Sequence, residues 1–373
     1  MPLGTSREGE RGSLESGDLS TRARSALRRK GTRAFCFDVA NEPPSLTLRV
    51  HTRGFFHAPR EAGMALKDPA MRIASLLASA TEMVCALGLR ERIVGISHEC
   101  DYPAEVLEKP RLSQPRFDPQ GLSSAEIDAA VHRAMELYGS VYLVDGDRLR
   151  AVRPDLILTQ AVCEVCAVPT PAAQEAVASL DYAPRILSLD AHDIEGVFRS
   201  VLEIGTAAGV RQRATAYVET LRERIRDVRG GVADRPRPRV LALEWLDPPY
   251  SPGHWVPEMV ELAGGVMVVG NAGQVSRAVS WTDLERTNPD VLVVMPCGFG
   301  LDAARTDASR HRELLCAVAA RAIACGRAYV VDGSSYFNRS GPRVVDGIEI
   351  LAALLHPDVF PYVSLTGRAE RWP

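Results

Sequence analysis

Side chains that bind transition metals recur in segments that directly follow predicted strands. Cysteine thiolates and histidine imidazoles are the usual ligands of zinc, and thiolates also hold iron-sulfur clusters. Because the carboxyl ends of parallel strands meet at one edge of a sheet, we expect these segments to face a common cleft. Free cysteines are equally at home as small buried hydrophobes, so that alternative stays open. The candidate metal ligands are His98, Cys100, Cys163, Cys166, His254 and Cys297.

Aromatic side chains are concentrated in the same segments, although Phe, Trp and Tyr make up only 6% of the chain. Such rings would hold a flat or macrocyclic ligand, and Arg339 would meet an amide or carboxylate at its edge. His98 or His254 would then be an axial ligand to a bound metal. Packing between two lobes is the alternative role for these rings. They are Trp245, Tyr250, Trp255, Phe299, Tyr336 and Phe337.

Groups for acid, base or nucleophilic catalysis do not form a specific pattern. Ser251 and Ser335 lack the surroundings of a nucleophile elbow, and Gly264-Gly265 lacks the spacing of a phosphate loop. Glu99, Glu164 and Glu244 are suited to proton transfer or to orienting a neighbouring histidine or cysteine. The sequence therefore favours a binding protein over an enzyme.

From Met71 onward, short apolar runs alternate with helical periods, which predicts parallel βα units. Predicted helices begin near Thr81, Ser123, Asp147 and Pro171 in the first half, and near Val256, Trp281, Ala303 and Pro342 in the second. The predicted strands cover residues 72–77, 93–97, 141–144, 155–159, 185–189, 239–244, 266–269, 291–295 and 328–331.

A long amphipathic helix is predicted from Arg211 to Val228, with apolar residues on one face and charged residues between them. Gly209 precedes it, and Gly230-Gly231 should end it. We expect this helix to join two α/β lobes as a strut that permits little closure. The expected divisions are an N-terminal extension (1–70), a first lobe (71–192), connecting helices (193–232), a second lobe (233–358) and a C-terminal tail (359–373).

Two internal repeats indicate that the lobes are duplicates. The segment from Glu82 to Gly88 (EMVCALG) is echoed by the segment from Glu258 to Gly264 (EMVELAG). In the same order, 153–159 (RPDLILT) is echoed by 288–294 (NPDVLVV). Two echoes with matching predicted elements favour duplication over chance.

Composition excludes several classes of protein. The 373 residues are 46% hydrophobic and carry a net charge of −3, so there is no overall basic surface for nucleic acid. No apolar run is long enough to span a bilayer. Residues 1–70 hold 12 Lys and Arg against 8 Asp and Glu, show no apolar signal core, and are expected to be disordered or to lie upstream of the true start. We accordingly expect an intracellular monomer with reduced cysteines.

Three further segments carry a resemblance to a known family: Ser75 to Glu82, Asp247 to Gly253, and Ser335 to Arg343. They are similar to segments of the cobalamin and iron-siderophore substrate-binding proteins of ABC importers, and over about 71–357 the chain resembles that helical-backbone class. The resemblance implies two Rossmann-like lobes with a ligand cleft between them. It also implies that Tyr250, Tyr336 and Arg339 line a corrin pocket opposite Gln160.

The resemblance also implies two docking acids for a permease, one on each lobe. Their positions fall on Asp147 and Thr282, with Asp283 adjacent, so one acid is missing and docking is doubtful. The leading hypothesis is an intracellular binding protein that holds a cobalamin or related corrinoid in the cleft. The alternatives are a metal-binding protein or metalloenzyme using the cleft cysteines for zinc or an iron-sulfur cluster, and an importer subunit with a misassigned start.

Overall fold

The structure, a computed structural model, describes residues 71–162 and 167–373. The strands are β1 (Ile73–Ser75), β2 (Ile93–Ile96), β3 (Ser113–Pro115), β4 (Tyr142–Val144), β5 (Leu156–Gln160), β6 (Arg185–Leu189), β7 (Arg239–Leu243), β8 (Trp245–Leu246), β9 (Pro249–Ser251), β10 (Val266–Met267), β11 (Arg277–Ala278), β12 (Val291–Val294), β13 (Ala328–Val331) and β14 (Ala369–Arg371). The helices are α1 (Ala78–Ala86), α2 (Ser124–Tyr138), α3 (Gly146–Val152), α4 (Thr170–Ala178), α5 (Ile194–Ala207), α6 (Arg211–Val232), α7 (Val256–Leu262), α8 (Trp281–Glu285), α9 (Leu301–Arg310), α10 (Arg312–Ala324), α11 (Gly333–Tyr336) and α12 (Val344–Leu355).

The first lobe is built on a parallel sheet in the order β2-β1-β5-β6. Four of the five strands predicted for this half lie in it. The fifth, β4, was expected among them but instead pairs antiparallel with β3 in a separate two-stranded sheet. In β4, Tyr142 is buried and the next residue, Leu143, is exposed, so only one face of the strand is buried. A strand with one exposed face is typical of antiparallel sheets.

The second lobe is built on a sheet in the order β10-β7-β12-β13-β14, parallel except for β14. Residues 359–373 were expected to be a tail, yet Ala369–Arg371 add this antiparallel edge strand. Trp372 is buried in the core of the lobe, which explains why the segment is held to the sheet. A small antiparallel sheet, β11-β9-β8, extends the loop after β7.

The second internal repeat makes the same contacts in both lobes. The backbone N–H of Arg72 donates to the Asp155 carboxylate (2.7 Å), and the N–H of Arg239 donates to that of Asp290 (2.9 Å). Arg153 and Asn288, the first residues of the two repeats, both have positive φ, at 35° and 41°. Matched contacts at matched positions support the duplication inferred from the sequence.

Helix α6 buries the predicted face, which comprises Ala214, Val218, Leu221, Ile225 and Val228, and it continues to Val232. It packs against α5 on one side and α12 on the other, and Arg224 binds Asp346 and Glu349 of α12. The prediction that Gly230-Gly231 end the helix was wrong. Neither glycine has the positive φ of a helix C-cap, and a Cβ at Gly231 would lie 2.8 Å from the Phe360 ring.

One core cluster includes residues of both lobes, among them Ile73 and Leu156 from the first sheet and Val240 and Val331 from the second. The lobe limits at 192 and 233 therefore remain predictions. Among the helices of the described ranges, none is both long and apolar enough to cross a membrane.

Candidate functional site

A cluster of charged side chains joins the loops at the carboxyl ends of the two sheets. Arg339, from the segment after β13, donates to both carboxylate oxygens of Asp101 in the loop after β2, at 2.5 and 2.9 Å. Arg343 donates to both oxygens of Glu82 on α1, at 2.9 and 2.6 Å. Arg339 also lies 3.6 Å from Glu82, so the four side chains form a continuous network between the lobes. We call these four residues the inter-lobe ion cluster.

Glu82 is the most buried member of the inter-lobe ion cluster, with 4% of its surface exposed. Burial raises the pKa of its carboxyl group above the ordinary value, while the hydrogen bonds and charges of Arg343 and the charge of Arg339 oppose that rise. The two-pronged contact with Arg343 needs both carboxylate oxygens as acceptors, which is the geometry of an ionised pair. The Tyr102 ring lies over the Arg343 guanidinium at 4.5 Å and covers it.

A second contact between the lobes is made at the start of α2. The Ser124 hydroxyl donates to Oδ1 of Asp307 on α9, at 3.0 Å. Asp307 is 1% exposed, and its Oδ2 has no hydrogen-bond partner within the described ranges. Burial raises the pKa of Asp307, and the nearby charge of His311 opposes the rise.

A third contact brings together two histidines. His192, in the loop after β6, stacks on His254, in the loop before α7, with ring centroids 5.8 Å apart. Beside them the backbone N–H of Ile194 donates to Glu258 at 3.0 Å. Burial, together with the charge of His192, lowers the pKa of His254, so its imidazole is neutral.

Three of the predicted ligand-binding aromatics lie together in the second lobe. Trp245 and Phe299 are half-buried, with ring centroids 5.2 Å apart, and Trp245 is directly opposite Tyr250 in the β8–β9 pair. Partial burial and the charges of Asp128 and Glu244 raise the pKa of Tyr250. Asp128 belongs to α2 of the first lobe, so Tyr250 lies at the boundary between the lobes. We call Trp245, Tyr250 and Phe299 the aromatic wall.

The aromatic wall adjoins the inter-lobe ion cluster through Ser334. The Ser334 N–H donates to the Phe299 carbonyl at 3.1 Å, and Arg339 donates to the Ser334 hydroxyl at 3.2 Å. Tyr336 is half-buried on the same segment, between the guanidinium groups of Arg343 and Arg368. Aromatic faces and the charged network are therefore parts of one region.

Three predicted ligand contacts are instead buried inside their own lobes: Trp255, Gln160 and Phe337, whose ring is completely buried. Trp255 is 6% exposed and packs in the core, and its indole N–H donates to the Phe337 carbonyl at 2.6 Å. Gln160 is 3% exposed, and its side-chain oxygen accepts from the Val162 N–H at 2.6 Å. Trp255 and Gln160 are suited to hold a cleft loop in place, since neither side chain presents a face or an edge to the cleft.

The candidate metal ligands are spread out where the structure describes them. Cys100 is buried, its sulfur lies 3.0 Å from the Thr81 hydroxyl, and burial raises the pKa of the thiol to about 11. His98 contacts Ser113 through Nδ1 at 2.8 Å, and its Nε2 is 3.3 Å from Glu99. Cys297 is half-buried beyond β12. Cys163 and Cys166 lie outside the described residues. Within 71–162 and 167–373, no three His, Cys, Asp or Glu side chains form a group that could hold a metal ion.

Glu82, Asp101, Arg343 and His192 are site residues that the sequence analysis did not single out. One signal was available, since Glu82 is the first residue of the repeat that begins again at Glu258. Each glutamate bonds to a group contributed by another part of the fold: Glu82 to Arg343, and Glu258 to the Ile194 N–H. The repeat therefore marked both glutamates, although it did not identify their partners.

Two α/β lobes, one long connecting helix and facing loops at the carboxyl ends of both sheets define a two-lobed binding protein. The periplasmic binding protein family model matches residues 73–314, and the chain belongs to that family. A curated relative, described as an uncharacterized ABC transporter substrate-binding lipoprotein, YvrC, from Bacillus subtilis, is 24% identical over 305 residues, which are 80% of this chain and 83% of the relative. The protein is thus an ABC-type substrate-binding protein, as the resemblance implied.

Solved structures agree on the fold. A periplasmic heme-binding protein from Pseudomonas aeruginosa matches with a TM-score of 0.59 and 22% identity, covering 77% of this chain and 93% of that chain. The periplasmic vitamin B12 binding protein BtuF of Vibrio cholerae matches with a TM-score of 0.57 and 19% identity, covering 77% and 97%. The prediction of two lobes with parallel sheets is confirmed.

The expected intracellular location was wrong. The family is that of periplasmic binding proteins, and the curated relative is a lipoprotein of an ABC transporter; such proteins work outside the cytoplasmic membrane. The expectation relied on the absence of an apolar signal core, and composition near one end of a sequence is weaker evidence than a family match across most of it.

Proposed function

We propose that this substrate-binding protein carries a corrinoid such as cobalamin in the cleft between its lobes. The observation that carries the proposal is the aromatic wall, which places three half-buried rings beyond the carboxyl ends of β7 and β12. Rings at such positions suit the apolar faces of a large macrocycle. The vitamin B12 binding protein among the similar structures is consistent with this ligand class.

His254 is the described residue best suited to approach a metal at the centre of the macrocycle. Its Nε2 is buried and, among the described residues, has no hydrogen-bond partner, and its imidazole is neutral. A neutral ring nitrogen is the form that binds a metal. His98 also has a buried Nε2 without a hydrogen-bond partner among the described residues, but that atom lies 3.3 Å from a Glu99 carboxylate oxygen and its Nδ1 contacts Ser113, so His98 is less suited.

Titration with cyanocobalamin and with aquocobalamin tests the proposal, because the second has an exchangeable axial ligand. We expect micromolar or tighter binding of both, and a shift of the corrin absorption bands with aquocobalamin that His254→Ala removes. Trp245→Ala should weaken binding of both ligands about fivefold or more, since each stacked ring contributes roughly 1 kcal/mol or more.

The matched control is Tyr362→Ala, which removes an exposed ring outside the cleft loops. It should bind both ligands as the unmodified protein does. Absence of binding to either corrinoid at millimolar concentration would contradict the proposal. A preference for heme over both corrinoids would support the cleft as the binding site but would mean that the ligand is heme and not a corrinoid.

We also propose that Asp147 and Asp283 are the acids presented to a membrane permease. Asp147 is in the first turn of α3 and Asp283 in the first turn of α8, and both side chains are largely exposed. The two helices precede the repeated strands β5 and β12, so Asp283 occupies in the second lobe nearly the place of Asp147 in the first. Charge reversal of both residues should reduce ligand-dependent stimulation of the transporter ATPase without changing ligand affinity.

A further inference from the structure

The cleft arginines are neutralised by acids of the opposite lobe. Two guanidinium groups, Arg339 and Arg343, face two carboxylates, Glu82 and Asp101, all within 4.0 Å of a partner. Glu99 adds a third carboxylate, and it too raises the pKa of Arg339, after Asp101 and Glu82. Three carboxylates therefore surround Arg339 and Arg343 where a ligand edge would meet the second lobe.

A third arginine near the cluster is also engaged. Arg111 donates to the carbonyls of Ser97, His98 and Cys100, at 2.9, 2.8 and 2.8 Å. Those contacts fix the loop after β2, which carries Glu99 and Asp101, and they direct the guanidinium to the backbone. Each of these three arginines therefore already has at least one guanidinium nitrogen bonded to a protein oxygen.

The position of Asp101 makes it the member that a ligand would meet. Its side chain is 54% exposed, whereas Glu82 is buried. A ligand carboxylate that approached Arg339 from the cleft would have to displace Asp101 or lie beside it. Either course costs free energy, because a like charge is brought close or an existing bidentate pair is broken.

We infer that the inter-lobe ion cluster selects tetrapyrrole ligands with uncharged edges, such as the amides of a corrinoid, over those that carry carboxylates. Asp101 is the specificity-determining residue, and it acts by occupying Arg339. The inference rests on the proposed function, which supplies the ligand site. It adds to that function the kind of group, uncharged and not carboxylate, that the site accepts at the edge of the ligand.

Hemin and its dimethyl ester are suitable probes, because they share one ring system and differ only in two carboxylates. The unmodified protein should bind the ester at least tenfold more tightly than the diacid. Asp101→Asn frees Arg339 and removes one negative charge. It should therefore lower the ratio of ester affinity to diacid affinity by at least tenfold. The control Asp181→Asn makes the same change near the opposite edge of the first sheet, where Asp181 contacts Arg153, and should leave the ratio unchanged.

Equal binding of the two probes by the unmodified protein, a ratio unaffected by Asp101→Asn, or failure of the ester to bind would each overturn the inference. Circular dichroism of the Asp101→Asn variant checks that it is folded. Conservative Asp101→Glu should keep the preference for the ester. If the protein shows the predicted preference for the ester but binds no corrinoid, this inference stands and the proposed function is wrong. The two failures are therefore distinguishable.

Discussion

Arg343 of the second lobe donates two hydrogen bonds, of 2.9 and 2.6 Å, to the carboxylate of Glu82 in the first lobe, 261 residues away in sequence. The pair is nearly closed to solvent, with side chains 13% and 3% exposed. Buried pairs contribute little net stability compared with apolar residues, but removing one partner leaves the other charge unpaired.

Glu82→Gln should therefore lower the free energy of unfolding by about 3 kcal/mol, because Arg343 loses its countercharge in a buried position. Urea unfolding followed by circular dichroism measures the change. Glu105→Gln is the matched control, since Glu105 pairs with Arg90 on the surface and its loss should cost less than about 1 kcal/mol. Equal effects of the two substitutions would mean that the Glu82 pair is not buried.

Asp307 should make stability fall as pH rises. Its pKa is raised in the folded protein, so between its ordinary value near 3.8 and the raised value the folded state binds more protons than the unfolded state. The free energy of unfolding then decreases with pH through that window. His311, Arg310, Asp247 and Ser124 are the groups around it.

Asp307→Asn should remove this part of the pH dependence and stabilise the protein at neutral pH, since the amide oxygen still accepts from Ser124. Thermal melts of both proteins at several pH values from 4 to 8 give the difference curve. A difference that stays flat across the series would show that Asp307 titrates normally.

The two glycines near the end of α6 should respond oppositely to alanine. Gly230 is exposed and nothing lies within 4 Å of an added Cβ, so Gly230→Ala should stabilise the protein by about 0.5–1 kcal/mol through reduced unfolded-state entropy. Gly231→Ala would press on the Phe360 ring and should destabilise it by about 1–3 kcal/mol. Chemical unfolding of the two variants side by side measures both, and destabilisation by Gly230→Ala would contradict the helical end of α6.

The cysteine hypothesis is tested by removing two thiols together. If zinc or an iron-sulfur cluster is bound, protein purified without air contains the metal stoichiometrically, and Cys163→Ser with Cys166→Ser abolishes it, because thiolates are the expected ligands. If the corrinoid proposal holds, the same double variant keeps its cobalamin affinity. Elemental analysis and the cobalamin titration on one preparation decide between the two outcomes.

Positions along the sequence were predicted better than contacts across it. The apolar runs located β2, β5 and β12 to within one residue, because buried parallel strands are nearly continuous in hydrophobicity. The end of α6 was missed because glycine propensity is a local preference, whereas packing of Val232 and Phe360 is not. Residue types alone likewise do not distinguish Trp245, which stays half-buried at the cleft, from Trp255, which is turned into the core.

Partners in the inter-lobe ion cluster were beyond the reach of the sequence. Arg339 was expected to meet a ligand, and this stays a prediction. Its partner Asp101 lies 238 residues away, and no local pattern joins them. Only the fold brings the loop after β2 to the segment after β13.

The apolar core shared by both lobes predicts that they unfold together. Each lobe has one apolar cluster of its own, but the cluster that includes the buried face of α6 is shared by side chains from both sheets, so neither half keeps all of its core when separated. Heating should then produce a single cooperative calorimetric transition in place of two. Polypeptides cut between α5 and α6 should be insoluble when made separately and should recover structure only when mixed.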